Sequence, residues 1–256
     1  MSIKRWLLSI SLFTLLALIV ALPTAAAGRV QPATDSDTRA IDIAEATVDA
    51  MGGWDALDAT RFVSWDFFGM RQHHWDRETG DVRIESEREG VTTLILMNIH
   101  SKLGSAYKDG QPLSGEELDA ALGQGHEAWV NDSYWMFMPY KMLDPGVTLK
   151  YVGEKETAAG NSAWVVDMTF ESVGYTPQNR YHVYVGKESG LVEQWDFYAE
   201  ASNPEPNFAS PWNGWERFGG IMLATNHGRD RDWKITVHNE LPRSVFTDPA
   251  AVAKDE

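Results

Sequence analysis

The best candidate for chemistry in this chain is His73-His74-Trp75-Asp76. Two imidazoles and a carboxylate are a ligand set for a divalent metal, and an imidazole held by a carboxylate is a general base. The segment reads as a strand, in which adjacent side chains point to opposite faces. His74 and Asp76 then share one face, and His73 shares the other with Arg71 and Trp75. A metal there needs a bulge or a ligand from elsewhere; the alternatives are a polar edge facing solvent and a hydrogen-bonding role in a cavity. If Gly69-Met70 closes a two-residue hairpin, Asp66 falls opposite His73 and Trp65 opposite His74. Asp66 and His73 are then an oriented base or, more simply, a cross-strand ion pair, with no serine or threonine nucleophile identifiable beside them. The sequence has no G-x-S-x-G elbow, no H-E-x-x-H, no phosphate-binding loop and no cysteine. Gly123-Gln124-Gly125 follows a helix rather than a strand, and no two carboxylates stand out as a glycosidase pair. We therefore expect no catalytic residue, no metal and no cofactor. The enzymatic alternative, an envelope hydrolase or metal-dependent enzyme, rests on Asp66, His73, His74 and Asp76.

The elements that must position these residues are mostly strands. Asp37 or Thr38 caps a first helix running to about Met51, with Ile41, Ala44, Val48 and Met51 on one face, and Gly52-Gly53 ends it. Segments rich in β-branched and aromatic residues follow at 61–69, 71–77, 81–86, 91–98, 105–108, 147–152, 163–170, 180–186, 191–199, 217–226 and 233–240. Turn signals such as Asp109-Gly110 and Glu188-Ser189-Gly190 separate them. About eleven short-linked strands imply one antiparallel sheet that curls.

One long interruption breaks the series. Ser114 with Glu117 forms a capping-box pattern for a helix to about Leu122, and a second helical piece runs from Glu127 to Met138, where Pro139 stops it. A surface helix needs an apolar stripe on one face only, yet Trp135, Met136, Phe137, Met138, Pro139 and Tyr140 are apolar or aromatic all round. Such a helix is either a buried plug or the wall of a cavity for a lipid-like ligand, and the two overlap. Burial of acyl chain stabilises by roughly 0.8 kcal/mol per methylene, and Met136, Met138 and Met142 suit a pocket of variable shape.

Residues 1–27 carry Lys4 and Arg5, an apolar run from Trp6 to Leu22 and a small-residue site at Ala25-Ala26-Ala27, the order of a cleavable secretory signal peptide. Residues 28–37 read as a flexible linker and 38–256 as a single domain. The chain has 37 acidic against 22 basic residues, a net charge of −15, which repels nucleic acid phosphates and anionic headgroups. With zero cysteines in an exported chain, stability must come from the core alone.

Several segments together carry a family resemblance: Met51-Gly52-Gly53-Trp54, Phe67-Phe68-Gly69 leading to His74-Trp75-Asp76, and Trp129-Val130-Asn131-Asp132-Ser133-Tyr134-Trp135. Met138-Pro139-Tyr140-Lys141 with Asp144-Pro145-Gly146, and Tyr181 to Phe197, complete the set. The chain resembles a family of uncharacterised exported bacterial proteins, and in architecture the outer-membrane lipoprotein carrier (LolA/LolB-like) superfamily. That resemblance implies a mainly β (α+β) fold, an unclosed antiparallel half-barrel with helices over an apolar cavity. It also implies a functional arginine, for which Arg61 and Arg71 are alternatives, and a Gram-negative periplasm. The expected function is a monomeric periplasmic carrier of a lipid or lipoprotein acyl chain, with envelope lipoproteins as possible partners. Its expected ligand-binding residues are Trp65, Phe67, Trp75, Trp129, Tyr134, Trp135, Phe137, Met138, Tyr140, Lys141 and Trp195. Lys141 would meet a headgroup. A third class, an envelope protein or glycan interaction module, would instead expose its aromatics in a flat patch.

Overall fold

A computed structural model describes residues 32, 33, 35–171 and 174–251. The signal-peptide segment 1–27 lies outside the described residues. Helices α1 (Thr38–Ala50) and α2 (Gly53–Ala59) come first. Strands β1 (Phe62–Phe67), β2 (Arg71–Asp76), β3 (Asp81–Arg88), β4 (Val91–Asn98), β5 (Gly104–Lys108) and β6 (Gln111–Pro112) follow. Helix α3 (Gly115–Lys141) interrupts, and β7 (Val147–Glu156), β8 (Ser162–Phe170), β9 (Arg180–Gly186), β10 (Val192–Tyr198) and β11 (Phe208–Pro211) come after it. The chain then adds β12 (Asn213–Phe218), β13 (Ile221–Asn226), β14 (Ile235–His238) and α4 (Ser244–Thr247).

All pairings are antiparallel. One sheet has the order β14-β1-β2-β3-β4-β5-β6, a second β11-β10-β9-β8-β7, and β12-β13 is a separate hairpin. The expected class holds: a mainly antiparallel, unclosed β fold with helices. The single curled sheet of about eleven strands becomes fourteen strands in three sheets among the described residues. The segment read as one strand at 217–226 is a hairpin turning at Gly219-Gly220, and α2, β6, β11 and α4 are additional.

Strand β1 shows why both sheet faces are covered. Val63, Trp65 and Phe67 point into the main core, whereas Phe62 points out and packs against Val245 and Phe246 of α4. All six residues are consequently buried. The outer edge of β7 is also covered, because Ala33 N–H donates to Val147 O and Asp37 N–H to Leu149 O, both at 2.8 Å. Over this first half of β7 the edge is thereby satisfied and closed to pairing with another chain. Asp37 is the residue ahead of α1, but its carboxylate accepts from Tyr151 N–H at 2.9 Å rather than capping the helix.

Helix α3 runs unbroken for 27 residues, about 40 Å at the usual rise, where two shorter pieces were expected. Gly125 does not break it: a side chain there would meet Ile95 Cδ1 at 2.8 Å, so glycine serves the close approach of the helix to β4. Pro139 lies in the last turn, where only Tyr140 and Lys141 follow it in the helix. Ser114 sits at the N-cap position but makes no side-chain capping bond. A second glycine has a clear steric cause: at Gly52, with φ 109°, an added Cβ would lie 2.3 Å from Gly220 O. The α1–α2 corner thus docks closely on the β12–β13 hairpin, where Met222 N–H donates to Met51 O at 2.8 Å.

Candidate ligand-binding cavity

Helix α3 passes between the two large sheets, and its residues from Trp129 onward divide between them. Toward the seven-stranded sheet it sends Asp132. The Arg71 guanidinium grips this carboxylate with two bonds, 2.6 Å to Oδ2 and 2.8 Å to Oδ1. His73 Nε2 donates to Oδ2 at 2.7 Å, and Asn131 Nδ2 to Oδ1 at 2.9 Å. Asp132 and His73 are both 0% exposed, so this is a buried charge that is tolerable because it is paired and hydrogen-bonded. Burial pushes the Asp132 carboxyl up, but the bonds from His73 and Arg71 outweigh it and leave it below the usual range. Burial pulls His73 down despite the carboxylate beside it. The pair is therefore a neutral imidazole donating to a carboxylate, with Nδ1 bare and unpartnered among the described residues. Trp65 covers the other side, its ring 4.3 Å from His73 and nearly parallel at 6°.

This geometry corrects the expected register. The β1–β2 turn has three residues, Phe68-Gly69-Met70, so Trp65 faces His73, Asp66 faces Gln72 and Ser64 faces His74. Phe68 takes a positive φ of 53°, Gly69 one of 71°, and Asp66 Oδ1 accepts the Gly69 N–H at 2.5 Å. Asp66 also pairs with Arg231, leaving His73 to Asp132. The four residues of the enzymatic alternative do not converge: Asp76 is held by Arg61, and His74 Nδ1 meets Ser64 Oγ at 2.7 Å. Ser64 is a neighbour that the two-residue turn concealed; its Oγ also lies 2.8 Å from His238 Nε2. Ser64 and His74 are buried under the outer face. The faces read from alternation do hold, with Arg71, His73 and Trp75 on one side of β2.

Toward the five-stranded sheet, α3 presents Trp129, Val130, Tyr134 and Trp135, and there a cavity of about 590 Å³ opens. Its opposite wall is Phe170 of β8, Tyr181 of β9, Trp195 and Phe197 of β10 and Phe208 of β11. Ring contacts knit the wall together: Trp135–Trp195 at 4.5 Å, Tyr181–Trp195 at 4.8 Å and Phe197–Phe208 at 4.9 Å. Such tilted and edge-on pairs add to burial energy and stiffen the surface. The polar groups are few, and among them Lys141 Nζ lies 3.4 Å from Asp144 Oδ2. Burial raises the Tyr134 phenol well above its ordinary value and pushes Tyr181 up to about 12, so both stay neutral. An apolar concavity with a few polar groups at its margin is the usual form of a small-molecule site.

Of the eleven residues expected to bind ligand, Trp129, Tyr134, Trp135, Lys141 and Trp195 line this cavity. Trp65, Phe67, Trp75, Phe137, Met138 and Tyr140 do not. They belong to the core on the other side of α3, with Trp75 edge-on to both Trp129 and Phe137, and with Tyr140 on the α1–α2 corner, its Oη donating to Met51 O at 3.2 Å. Sequence reasoning did not single out Phe170, Tyr181, Phe197 or Phe208; alternation along β9 and β10 places Tyr181 and Phe197 on the same face as Trp195. Neither candidate arginine enters the cavity, since Arg71 is bound to Asp132 and Arg61 to Asp76.

Behind the cavity, His227 is enclosed by aromatic rings. Trp212 and Trp233 are each 4.6 Å away, Trp135 5.7 Å and Phe68 6.3 Å. Neither ring nitrogen has a partner among the described residues, and burial pulls the imidazole down to about 3.

The fold and this site define an unclosed antiparallel β protein with a helix-walled aromatic cavity. No family model and no curated protein matches the chain. Among solved structures it is similar to a DUF1329 family protein from Desulfovibrio piger, at 14% identity and a TM-score of 0.43, over 82% of this chain and 98% of that one. It is also similar to an outer membrane lipoprotein-sorting protein domain from Vibrio parahaemolyticus, at 10% identity and a TM-score of 0.41, over 81% and 96%. A structure of the Pseudomonas aeruginosa MucA/MucB complex matches at 15% identity and a TM-score of 0.20, over 61% and 50%.

Proposed function

We propose that this protein is an exported, periplasmic carrier that holds a lipid or an acyl chain in the cavity between α3 and the five-stranded sheet. The observation that carries the reading is the cavity itself, about 590 Å³ walled by aromatics from four strands and one helix. Side chains that merely completed a core would close on one another without leaving such a space, as Phe67 and Trp233 do with ring centroids 5.3 Å apart. Burying the apolar length of a ligand against such walls favours binding by roughly 25 cal/mol per Å², and only the surplus over association costs appears as affinity. The N-terminal segment 1–27 supplies export, and the stretch that follows, expected as a flexible linker, leads into a single domain with Ala33 and Asp37 bonded along β7.

Native mass spectrometry of the mature protein purified from cells tests this directly, with solvent extraction of whatever is bound. A co-purified lipid or acylated species, and an N-terminus at Gly28, support the carrier reading. A clean apo mass that takes up no added lipid or apolar fluorescent probe removes it.

A further inference from the structure

We propose that the cavity takes a single-chain amphiphile whose head carries no net negative charge, the chemistry shared by a lysophospholipid with a zwitterionic head and a monoacylglycerol. This rests on the carrier reading and narrows it. The first observation is size. An apolar cavity of about 150 Å³ holds benzene, or about 25 Å³ per carbon, so the space here accommodates about two dozen carbon atoms. That is one long acyl chain with its glyceryl linkage, and a diacyl or triacyl anchor would overfill it.

The second observation is that the fold does not offer the missing room. The far side of α3 is already filled by Phe137, Tyr140 and Trp75. The helix cannot swing outward without pulling Asp132 from both Arg71 and His73, which would strand a fully buried carboxylate.

The third observation is charge. The charged groups lining the cavity are Glu127, Asp144 and Lys141, and Lys141 is already paired with Asp144. The lining sum is negative, in a chain whose net charge is −15. A fatty acid carboxylate meets no unpaired cation there, whereas Asn131, bonded through Nδ2 to Asp132, and Asn179, bonded through Nδ2 to Thr176, keep their amide oxygens and a second amide proton for the hydroxyl and ester groups of a neutral head.

Tryptophan fluorescence titration of the full mature protein tests the proposal, because Trp129, Trp135 and Trp195 all face the cavity. The ligands are monopalmitoylglycerol, palmitoyl-lysophosphatidylethanolamine, palmitate, dipalmitoyl phosphatidylethanolamine and a triacylated lipopeptide. The expected result is saturable one-to-one binding of the two uncharged or zwitterionic monoacyl ligands, with palmitate about tenfold weaker or worse, and no saturation by the others. Which of the two binds more tightly identifies the head. Equal or tighter binding of the diacyl or triacyl ligand overturns the single-chain inference while leaving the carrier reading intact, and palmitate binding as tightly overturns the charge argument. Failure of every ligand removes the carrier reading itself. Val130→Trp, which narrows the cavity without removing a core side chain, is expected to weaken the binders about tenfold or more while the denaturation midpoint is unchanged; undiminished binding would place the ligand elsewhere.

Discussion

Asp132 and His73, 59 positions apart in sequence, share a 2.7 Å hydrogen bond in a spot that solvent does not reach. Through it, and through Arg71, the helix that walls the cavity is fixed to the opposite sheet. Removing one member of a buried, hydrogen-bonded charge pair leaves the other unpaired and typically costs about 3–5 kcal/mol. Asp132→Ala should therefore lose about that much in urea denaturation. A loss below about 1 kcal/mol would mean that α3 is held by its apolar contacts alone.

Trp135 and Trp65 should separate binding from folding. Trp135 is half-buried, edge-on to Trp195 and on the cavity wall, so Trp135→Ala should weaken lipid uptake with a stability loss smaller than the roughly 3–5 kcal/mol of a fully buried tryptophan. Trp65 is 0% exposed and lies away from the cavity, so Trp65→Ala should cost that full amount. Equal losses of stability in the two variants would mark Trp135 as a plain core residue.

His227 makes the fold acid-sensitive. Its imidazole is at about 3 in the folded protein against an ordinary 6.5, so between those values the unfolded chain binds the extra proton and stability falls as pH falls. His73 shifts in the same direction through burial, and Asp132 adds a loss at the acid end as its depressed carboxyl is protonated. Thermal melts should be flat above about pH 6.5 and drop steadily toward pH 3. His227→Leu should raise the melting temperature near neutral pH, because an unbonded polar ring gives way to an apolar side chain, and should flatten part of the acid slope. An unchanged slope would place the sensitivity elsewhere.

The sequence made the architecture legible because the signals that define it are local. Alternation in β1, β2, β9 and β10 and the turn pairs gave the strands, and the aromatic run of α3 marked the element that matters. What it hid depended on distant contacts. Gly125 looked like a break and is instead a contact with Ile95, a distinction that only the packing makes. The β1–β2 turn gained one residue because Asp66 caps the Gly69 N–H and Phe68 accepts a left-handed φ, and that single slip replaced Asp66 with Trp65 opposite His73. Asp132 lay in plain view between Asn131 and Ser133, but nothing in its neighbourhood announces a partner on a strand 59 residues earlier. Among the aromatics, helix and strand pattern identified which are inward, not which side of α3 they occupy; that division separates cavity from core.

The bonds from Ala33 and Asp37 to β7 give the stretch just ahead of α1 a second identity, as a sealing strip. A protease that trimmed past Asp37 would leave every helix and strand in place and yet unzip the flank of the five-stranded sheet, baring backbone groups to any neighbour with a complementary rim. Under the proposed export, a cut before Gly28 keeps the strip, whereas loss of residues through Asp37 is expected to promote self-association, which size-exclusion chromatography of the trimmed protein would detect.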